Sequence, residues 1–169
     1  MRVPATEPVS ELKQMMRTVP QVGRVEQILL RRARKGLVET VPTASMVMQH
    51  GLVGDRFRGR SERSKRQVTA IQAEHLPVIA ALSGHSRVDP VDLRRNLVIS
   101  GIPLVAMKDR RFRIGATCVL EWTAPCDPCH RIEALLGPGG FNAMRGLGGV
   151  CCRVVEPGEI AVGDAVVAA

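Results

Sequence analysis

The chain has 169 residues, of which 45% are hydrophobic and 24% are charged, and these proportions are typical of one globular domain. Aromatic residues make up only 2%, so the core must consist mainly of aliphatic side chains and methionine. No segment approaches the roughly 18 apolar residues of a membrane span, and residues 1–8 have no apolar run of signal-peptide length, which predicts a cytoplasmic protein without a membrane partner. The formal net charge of +8 indicates attraction to anions.

The first third of the chain predicts an N-terminal arm followed by two strands. Prolines surround a short predicted helix, so we interpret residues 1–21 as an arm and residues 22–169 as the domain. Partly alternating hydrophobic residues at 22–30 and 37–48 predict two strands of a hairpin. The arginine-rich stretch 56–66 has too few apolar residues for a buried element and predicts an exposed loop.

The rest of the chain predicts more strands than helices. A strand at 67–71 precedes a helix at 72–82, and Asp89-Pro90 begins a second helix that leads to a strand at 97–99. Further elements are a helix at 130–136, strands at 111–114, 117–122, 151–155 and 165–167, and turns at Gly115, Gly158 and Gly163. Many short strands, few helices and no regular alternation between them predict a β-rich α+β barrel.

The sharpest local signal is a pair of cysteines, Cys126 and Cys129, in the segment PCDPCHR. Five cysteines in a chain expected to stay in the cytoplasm favour free thiols or metal ligands over disulfides. Cys129 should lie at the beginning of the helix at 130–136, where the helix dipole and the nearby His130 and Arg131 would favour a thiolate. Cys118, Cys151 and Cys152 lie in strand-like segments and are interpreted as core residues.

Spacing alone leaves several functions open for this motif. A haem-attachment sequence would require export, and a thioredoxin-type motif should come early in a strand–helix series rather than late in a strand-rich chain. A structural zinc site would need four ligands, whereas Cys151 and Cys152 are adjacent and not suitably spaced. In the remaining alternative, the two cysteines are ordinary thiols in a turn and have no chemical function.

Five segments together resemble the MOSC domain family, named from the molybdenum cofactor sulfurase C-terminal region. They are GLVGDR at 51–56, RRNLVISGI at 94–102, FRIG at 112–115, PCDPCHR at 125–131 and GEIAVGD at 158–164. The resemblance spans about residues 22–167. It implies a β-barrel fold in a stand-alone single-domain member of the family.

The resemblance also implies a cysteine that acts with the molybdenum cofactor, molybdopterin, either as a sulfur carrier or as a metal ligand in the reduction of N-hydroxylated compounds. Cys129 matches the family cysteine, and Cys126 becomes a second thiol in catalysis. The expected partner is the cofactor itself or a sulfur donor or acceptor protein, and the purified protein can lack the cofactor. Pyridoxal phosphate enters by family association alone.

Basic and amide side chains are the expected contacts of the cofactor phosphate, because guanidinium groups bind phosphate through paired hydrogen bonds. The candidates are Arg56, Arg94, Arg95, Asn96, Arg131 and Arg145. One departure is that many family members place a histidine soon after the segment at 51–56, where this chain has Phe57 and Arg58. The alternative function is a basic nucleic-acid-binding module without catalysis, which the scarcity of stacking aromatics disfavours.

Overall fold

The computed structural model describes residues 10–34, 36–57, 61 and 63–169. The strands in these ranges are β1 (Gly23–Arg31), β2 (Val38–Val41), β3 (Thr43–Val47), β4 (Gly51–Leu52), β5 (Val68–Gln72), β6 (Leu97–Ser100), β7 (Arg111–Ile114), β8 (Cys118–Pro125), β9 (Val150–Glu156), β10 (Gly158–Ala161) and β11 (Ala165–Ala168). The helices are α1 (Glu11–Arg17), α2 (His75–Ser83), α3 (Pro90–Leu93), α4 (His130–Leu136) and α5 (Gly140–Met144), with one 3₁₀ turn at Leu104–Met107.

A closed barrel is the centre of the fold. Among the described residues its seven strands follow the order β1, β11, β7, β8, β9, β5 and β6, and β6 pairs with β1 to complete the circle. All neighbours are antiparallel except β5 and β6, which are parallel. β2 extends the barrel sheet beside β1, and β10, β3 and β4 form a separate three-stranded sheet. The predicted β-rich α+β barrel is therefore confirmed.

Alternating residues build the barrel interior. In β7, Phe112 and Ile114 are fully buried, whereas Arg111 and Arg113 are exposed on the outside. This period of two is what a strand requires when only one of its faces meets a core. Because aromatic side chains are scarce, aliphatic residues and methionine fill most of the remaining interior.

A second core lies between the outer face of the barrel and the helices. Leu29, Ile71 and Val98 point outward from β1, β5 and β6 and pack with helical residues such as Ile79 and Ile132. The parallel strands β5 and β6 are thus buried on both faces, which is usual where helices connect parallel strands. This layer fixes α3 and α4 beside the barrel.

Several predicted elements have different bounds in the structure. The predicted single strand at 37–48 is wrong, since Pro42 lies between β2 and β3, which join different sheets. Proline has no N–H to donate to a ladder, so it suits such a corner. Gly158 was predicted as a turn but begins β10, and it packs so closely on Thr117 and Cys118 that a Cβ would not fit.

The N-terminal helix and the basic loop agree with their predictions where the structure describes them. Ser10 caps α1, which has no buried residue, and residues 56–57, 61 and 63–66 form no helix or strand. The rest of the predicted arm, residues 1–9, and positions 58–60 and 62 of the loop lie outside the described residues. No helix in the described part is long and apolar enough to cross a membrane.

Candidate functional site

A cleft of about 790 Å³ lies beside the barrel, between α3, the beginning of α4 and the segments that flank the basic loop. We call it the arginine cleft, because guanidinium groups dominate its described lining. They are Arg31, Arg56, Arg66, Arg94, Arg95 and Arg131. The acidic residues of the same lining are Asp92 and Asp127. The cleft therefore carries an excess of positive charge over the described part of its wall, which favours an anionic ligand.

Asp55 neutralises one of these arginines. Its carboxylate accepts hydrogen bonds from the backbone N of Arg31 at 2.7 Å, from Nη2 of Arg31 at 2.9 Å and from the backbone N of Phe57 at 3.1 Å. Asp55 is only 4% exposed, and its ion pair with Arg31 compensates this buried charge. This network ties the segment that follows β4 to the end of β1.

Asn96 lies in the lining of the cleft, but neighbouring protein groups engage its amide. Its Oδ1 accepts from the backbone N of Thr69 at 3.1 Å and from the Thr69 hydroxyl at 3.0 Å, and its Nδ2 donates to the carbonyl of Leu29 at 3.4 Å. The amide therefore joins β1, β5 and the turn before β6. Direct binding of a ligand by Asn96 stays a prediction.

Arg95 is also held by the protein. Its guanidinium donates to the carbonyls of Gly148 at 2.7 Å, Leu93 at 2.8 Å and Cys126 at 3.4 Å. A Cβ at Gly148 would lie 2.2 Å from the Cys126 carbonyl oxygen, so only glycine permits this close packing. Arg95 and Gly148 together fix the backbone of the segment that carries the cysteines.

Arg94 stands among other cations. Burial lowers its pKa, and repulsion from Arg131, Arg31 and Arg56 lowers it further, with Asp55 opposing the effect. Its backbone is left-handed, with φ of 58°, although it is not glycine. Such a conformation costs free energy and occurs preferentially at functional sites. The convergence of Arg94 with Arg131 and Arg56 is suited to a phosphate or another polyanion.

Two of the five thiols form a buried pair. Cys126, just beyond β8, is 4% exposed, and Cys151, on β9, is 1% exposed. A hydrogen bond from the Cys151 thiol, followed by attraction to Arg95 and Arg66, lowers the pKa of Cys126, which burial and Asp127 oppose. The same hydrogen bond raises the pKa of Cys151. The pair thus gives up its first proton more readily than an ordinary thiol.

Cys129 differs from this pair in its exposure. It is solvent-exposed, lines the arginine cleft and occupies the N-cap position of α4, as the sequence predicted, although its side chain makes no capping hydrogen bond. Among the described residues no group of three or more His, Cys, Asp or Glu side chains could hold a metal ion. The roles assigned to Cys129 and Cys126 stay predictions.

The structure thus brings most of the predicted site residues together. Cys126, Cys129, Arg56, Arg94, Arg95, Asn96 and Arg131 all line the cleft. Arg145 does not. It is exposed at the end of α5 and lies outside the cleft lining.

Sequence reasoning did not single out Arg66 and Cys151. Arg66 was counted only as part of a basic loop, although its guanidinium interacts with Cys151, Cys126 and Cys129, and these thiols raise its pKa. Cys151 is buried, as its interpretation as a core residue requires, but only its neighbour Cys152 belongs to the barrel core cluster. Adjacent strand residues point to opposite faces, so this alternation was the signal that could have separated the two.

Comparison with known proteins defines the class. The family model described as MOSC domain matches residues 45–167, well over half of the chain, and the chain belongs to this family. The solved structure of the YuaD protein from Bacillus subtilis is similar, with a TM-score of 0.77 and 20% identity over 88% of this chain and 97% of that one.

Two further structures share the fold. YiiM from Geobacillus stearothermophilus has a TM-score of 0.67 and 16% identity, over 87% of this chain and 75% of that chain. YiiM from Escherichia coli has a TM-score of 0.65 and 18% identity, over 86% of this chain and 69% of that chain. No curated protein matches the sequence.

Proposed function

We propose that this MOSC protein binds the molybdenum cofactor in the arginine cleft and carries sulfur for it on Cys129. The observation that carries the proposal is one cleft lined by both an exposed thiol and a cluster of converging guanidinium groups. A terminal phosphate and an acceptor of sulfur are the two features of the cofactor that such a lining would recognise.

The residues present fit this group. The cleft volume of about 790 Å³ lies within the roughly 300–1,000 Å³ of ordinary small-molecule sites. Arg94, Arg131 and Arg56 would hold the phosphate, because Asp55 forms its ion pair with Arg31, and none of these three takes part in an ion pair among the described residues. When bound, the cofactor supplies a molybdenum centre that accepts sulfur or a thiolate.

The position of Cys129 suits a sulfur carrier. A carrier thiol must be reached by a sulfur donor protein from outside and must also face the acceptor, and Cys129 is both exposed and part of the cleft lining. Arg95 keeps the loop in place by donating to the Cys126 carbonyl. The same position would serve a Cys129 thiolate acting as a metal ligand in a reductase of N-hydroxylated compounds. A persulfide on Cys129 distinguishes the sulfur carrier from this role.

The test is expression of the full chain in cells that make the cofactor, followed by measurement of molybdenum, pterin and persulfide. We expect pterin in the purified protein, and a persulfide at Cys129 after incubation with a persulfide donor. C129S should lose the persulfide and keep its circular dichroism spectrum, and C152A is the matched control because Cys152 faces the barrel core. A folded protein with no molybdenum, pterin or persulfide would contradict the proposal.

Phosphate recognition is tested separately with two arginine variants. R131Q should weaken binding of a phosphorylated pterin by about tenfold to about a hundredfold, because losing one charge-assisted contact costs about 1.5–3 kcal/mol and every 1.4 kcal/mol is a factor of ten. R145Q should leave the affinity unchanged, because Arg145 lies outside the cleft lining. Equal losses in the two variants, measured by isothermal titration calorimetry, would indicate general attraction to a basic surface instead.

A further inference from the structure

The buried pair, Cys126 and Cys151, has no part in the sulfur carrier proposed above. Cys151 is opposite Ala124 in the β8–β9 ladder, where the register shifts, and Cys126 follows two residues later. The backbone N of Cys126 donates to the Gly149 carbonyl at 2.9 Å, which brings the end of β8 back onto the strand that carries Cys151. The Cys151 Sγ lies 3.8 Å from the carbonyl oxygen of Pro125, immediately before Cys126.

This arrangement distinguishes the pair from ordinary core cysteines. Cys118 and Cys152 belong to the barrel core, and burial raises the pKa of Cys118 to about 12 and also raises that of Cys152. Cys126 and Cys151 instead lie together where β8 ends beside β9, with the Cys151 thiol against the carbonyl of Pro125, and Cys126 lines the arginine cleft. Two adjacent thiols can together give up two electrons by closing to a disulfide.

The same guanidinium group, that of Arg66, interacts with three thiols of this region. Arg66 interacts with Cys151, Cys126 and Cys129, so anionic sulfur at any of the three is stabilised by the same guanidinium. The buried pair is out of reach of a bulky partner, whereas Cys129 is exposed and three residues away in the same loop. Sulfur received at Cys129 can therefore approach the pair from within the cleft.

We propose that Cys126 and Cys151 form an internal reductant that converts sulfane sulfur carried on Cys129 into sulfide, an activity that rests on the proposed sulfur-carrier function. The Cys126 thiolate attacks the outer sulfur of the Cys129 persulfide, whose S–S bond breaks, and Cys129 leaves as a thiolate. Cys151 then attacks Sγ of Cys126, HS⁻ leaves, and the Cys151 proton passes to it. The persulfide sulfur is reduced to H₂S, and the two thiols are oxidised to one disulfide. A dithiol reductant restores the pair.

The experiment is a single turnover of the reduced full-length protein with glutathione persulfide, followed by sulfide measurement and non-reducing peptide mass spectrometry. Wild-type protein should release sulfide and gain a cross-link between the peptides of Cys126 and Cys151. C151S should lose sulfide release and retain a persulfide, whereas C152A should match wild type, because Cys152 faces the barrel core. Circular dichroism checks that each variant folds.

The outcomes separate this proposal from the one on which it rests. A persulfide at Cys129 with undiminished sulfide release in C151S, or a cross-link between Cys126 and Cys129 instead, would overturn the internal reductant and leave the sulfur carrier intact. A protein that takes no persulfide on any cysteine would overturn both. Titration of the reduced protein with diamide gives an independent check, since the pair should be the first cysteines to form a disulfide.

Discussion

The barrel interior and the arginine cleft beside it are built from contrasting chemistry. Inside the barrel, residues such as Phe112 and Ile114 are fully buried and need no polar partner. Beside the barrel, Arg94 stands among other guanidinium groups of the cleft, and its backbone is left-handed. The interior gains stability from each buried group, whereas the cleft retains strain and like-charge repulsion that a ligand could relieve.

The largest effect should come from the barrel side. F112A should lower the free energy of unfolding by about 3–5 kcal/mol, because it leaves a cavity where the strands cannot close. C129S, at an exposed position, should change it by less than about 0.5 kcal/mol. Chemical denaturation measures both. A cleft variant such as C129S that is as destabilising as F112A would contradict the expectation that the barrel interior contributes more to stability than the cleft.

Asp55 lies at the border between the barrel and the arginine cleft, and its loss should lower stability without weakening anion binding. D55N leaves the Arg31 side chain, which is 16% exposed, without its counter-charge, and we expect a loss of about 3 kcal/mol in the free energy of unfolding. Anion binding in the cleft should not weaken, because Arg31 then adds its charge to the other arginines.

The control for D55N is D127N, which removes an exposed carboxylate from the lining of the arginine cleft. D127N should leave stability unchanged within about 0.5 kcal/mol. Thermal denaturation and phosphate titration of both variants give the two readouts. A loss of anion binding in D55N would mean that Asp55 acts in the cleft itself and does not only brace it.

The smallest expected effect is a shift in the pKa of Cys126, which lines the arginine cleft. The rate at which Cys126 reacts with iodoacetamide should rise with pH. Because the pKa of Cys126 is lowered, the rate should level off at a lower pH than for an ordinary thiol, whose pKa is about 8.5. C151A removes the main cause, the hydrogen bond from Cys151, so the inflection should move to higher pH. C152A should not move it. Peptide mass spectrometry follows Cys126 alone, and identical profiles in wild type and C151A would refute the coupling.

Local patterns predicted the elements better than the contacts between them. Helix α4 and strand β7 have the bounds that their sequences predict, because a capping position, a glycine and a period of two are local signals. The resemblance to the MOSC family predicted the barrel, and all of the candidate site residues except Arg145 line the cleft. Element bounds depended on tertiary context at Pro42, where one predicted strand divides between two sheets.

The thiol pair shows why part of the site could not be predicted from the sequence. Cys126 and Cys151 are separated by 24 intervening residues, and no local pattern states that β8 and β9 are neighbours with a shifted register. Arg145 is a candidate only because it is basic, and the sequence does not indicate that it lies at the end of α5, outside the cleft lining. Whether the lining residues bind the cofactor stays a prediction.

Pairing between β1 and β11 has a consequence for how the molecule folds. Gly23 is opposite Val166, and Arg24 is opposite Ala165, so the first and last strands of the barrel complete it together. During synthesis the ring must wait for the final strand to leave the ribosome, with the edge of β7 and the beginning of β1 unpaired until then. High contact order slows folding, and open edges attract other chains, so this step is where a chaperone would have most to protect.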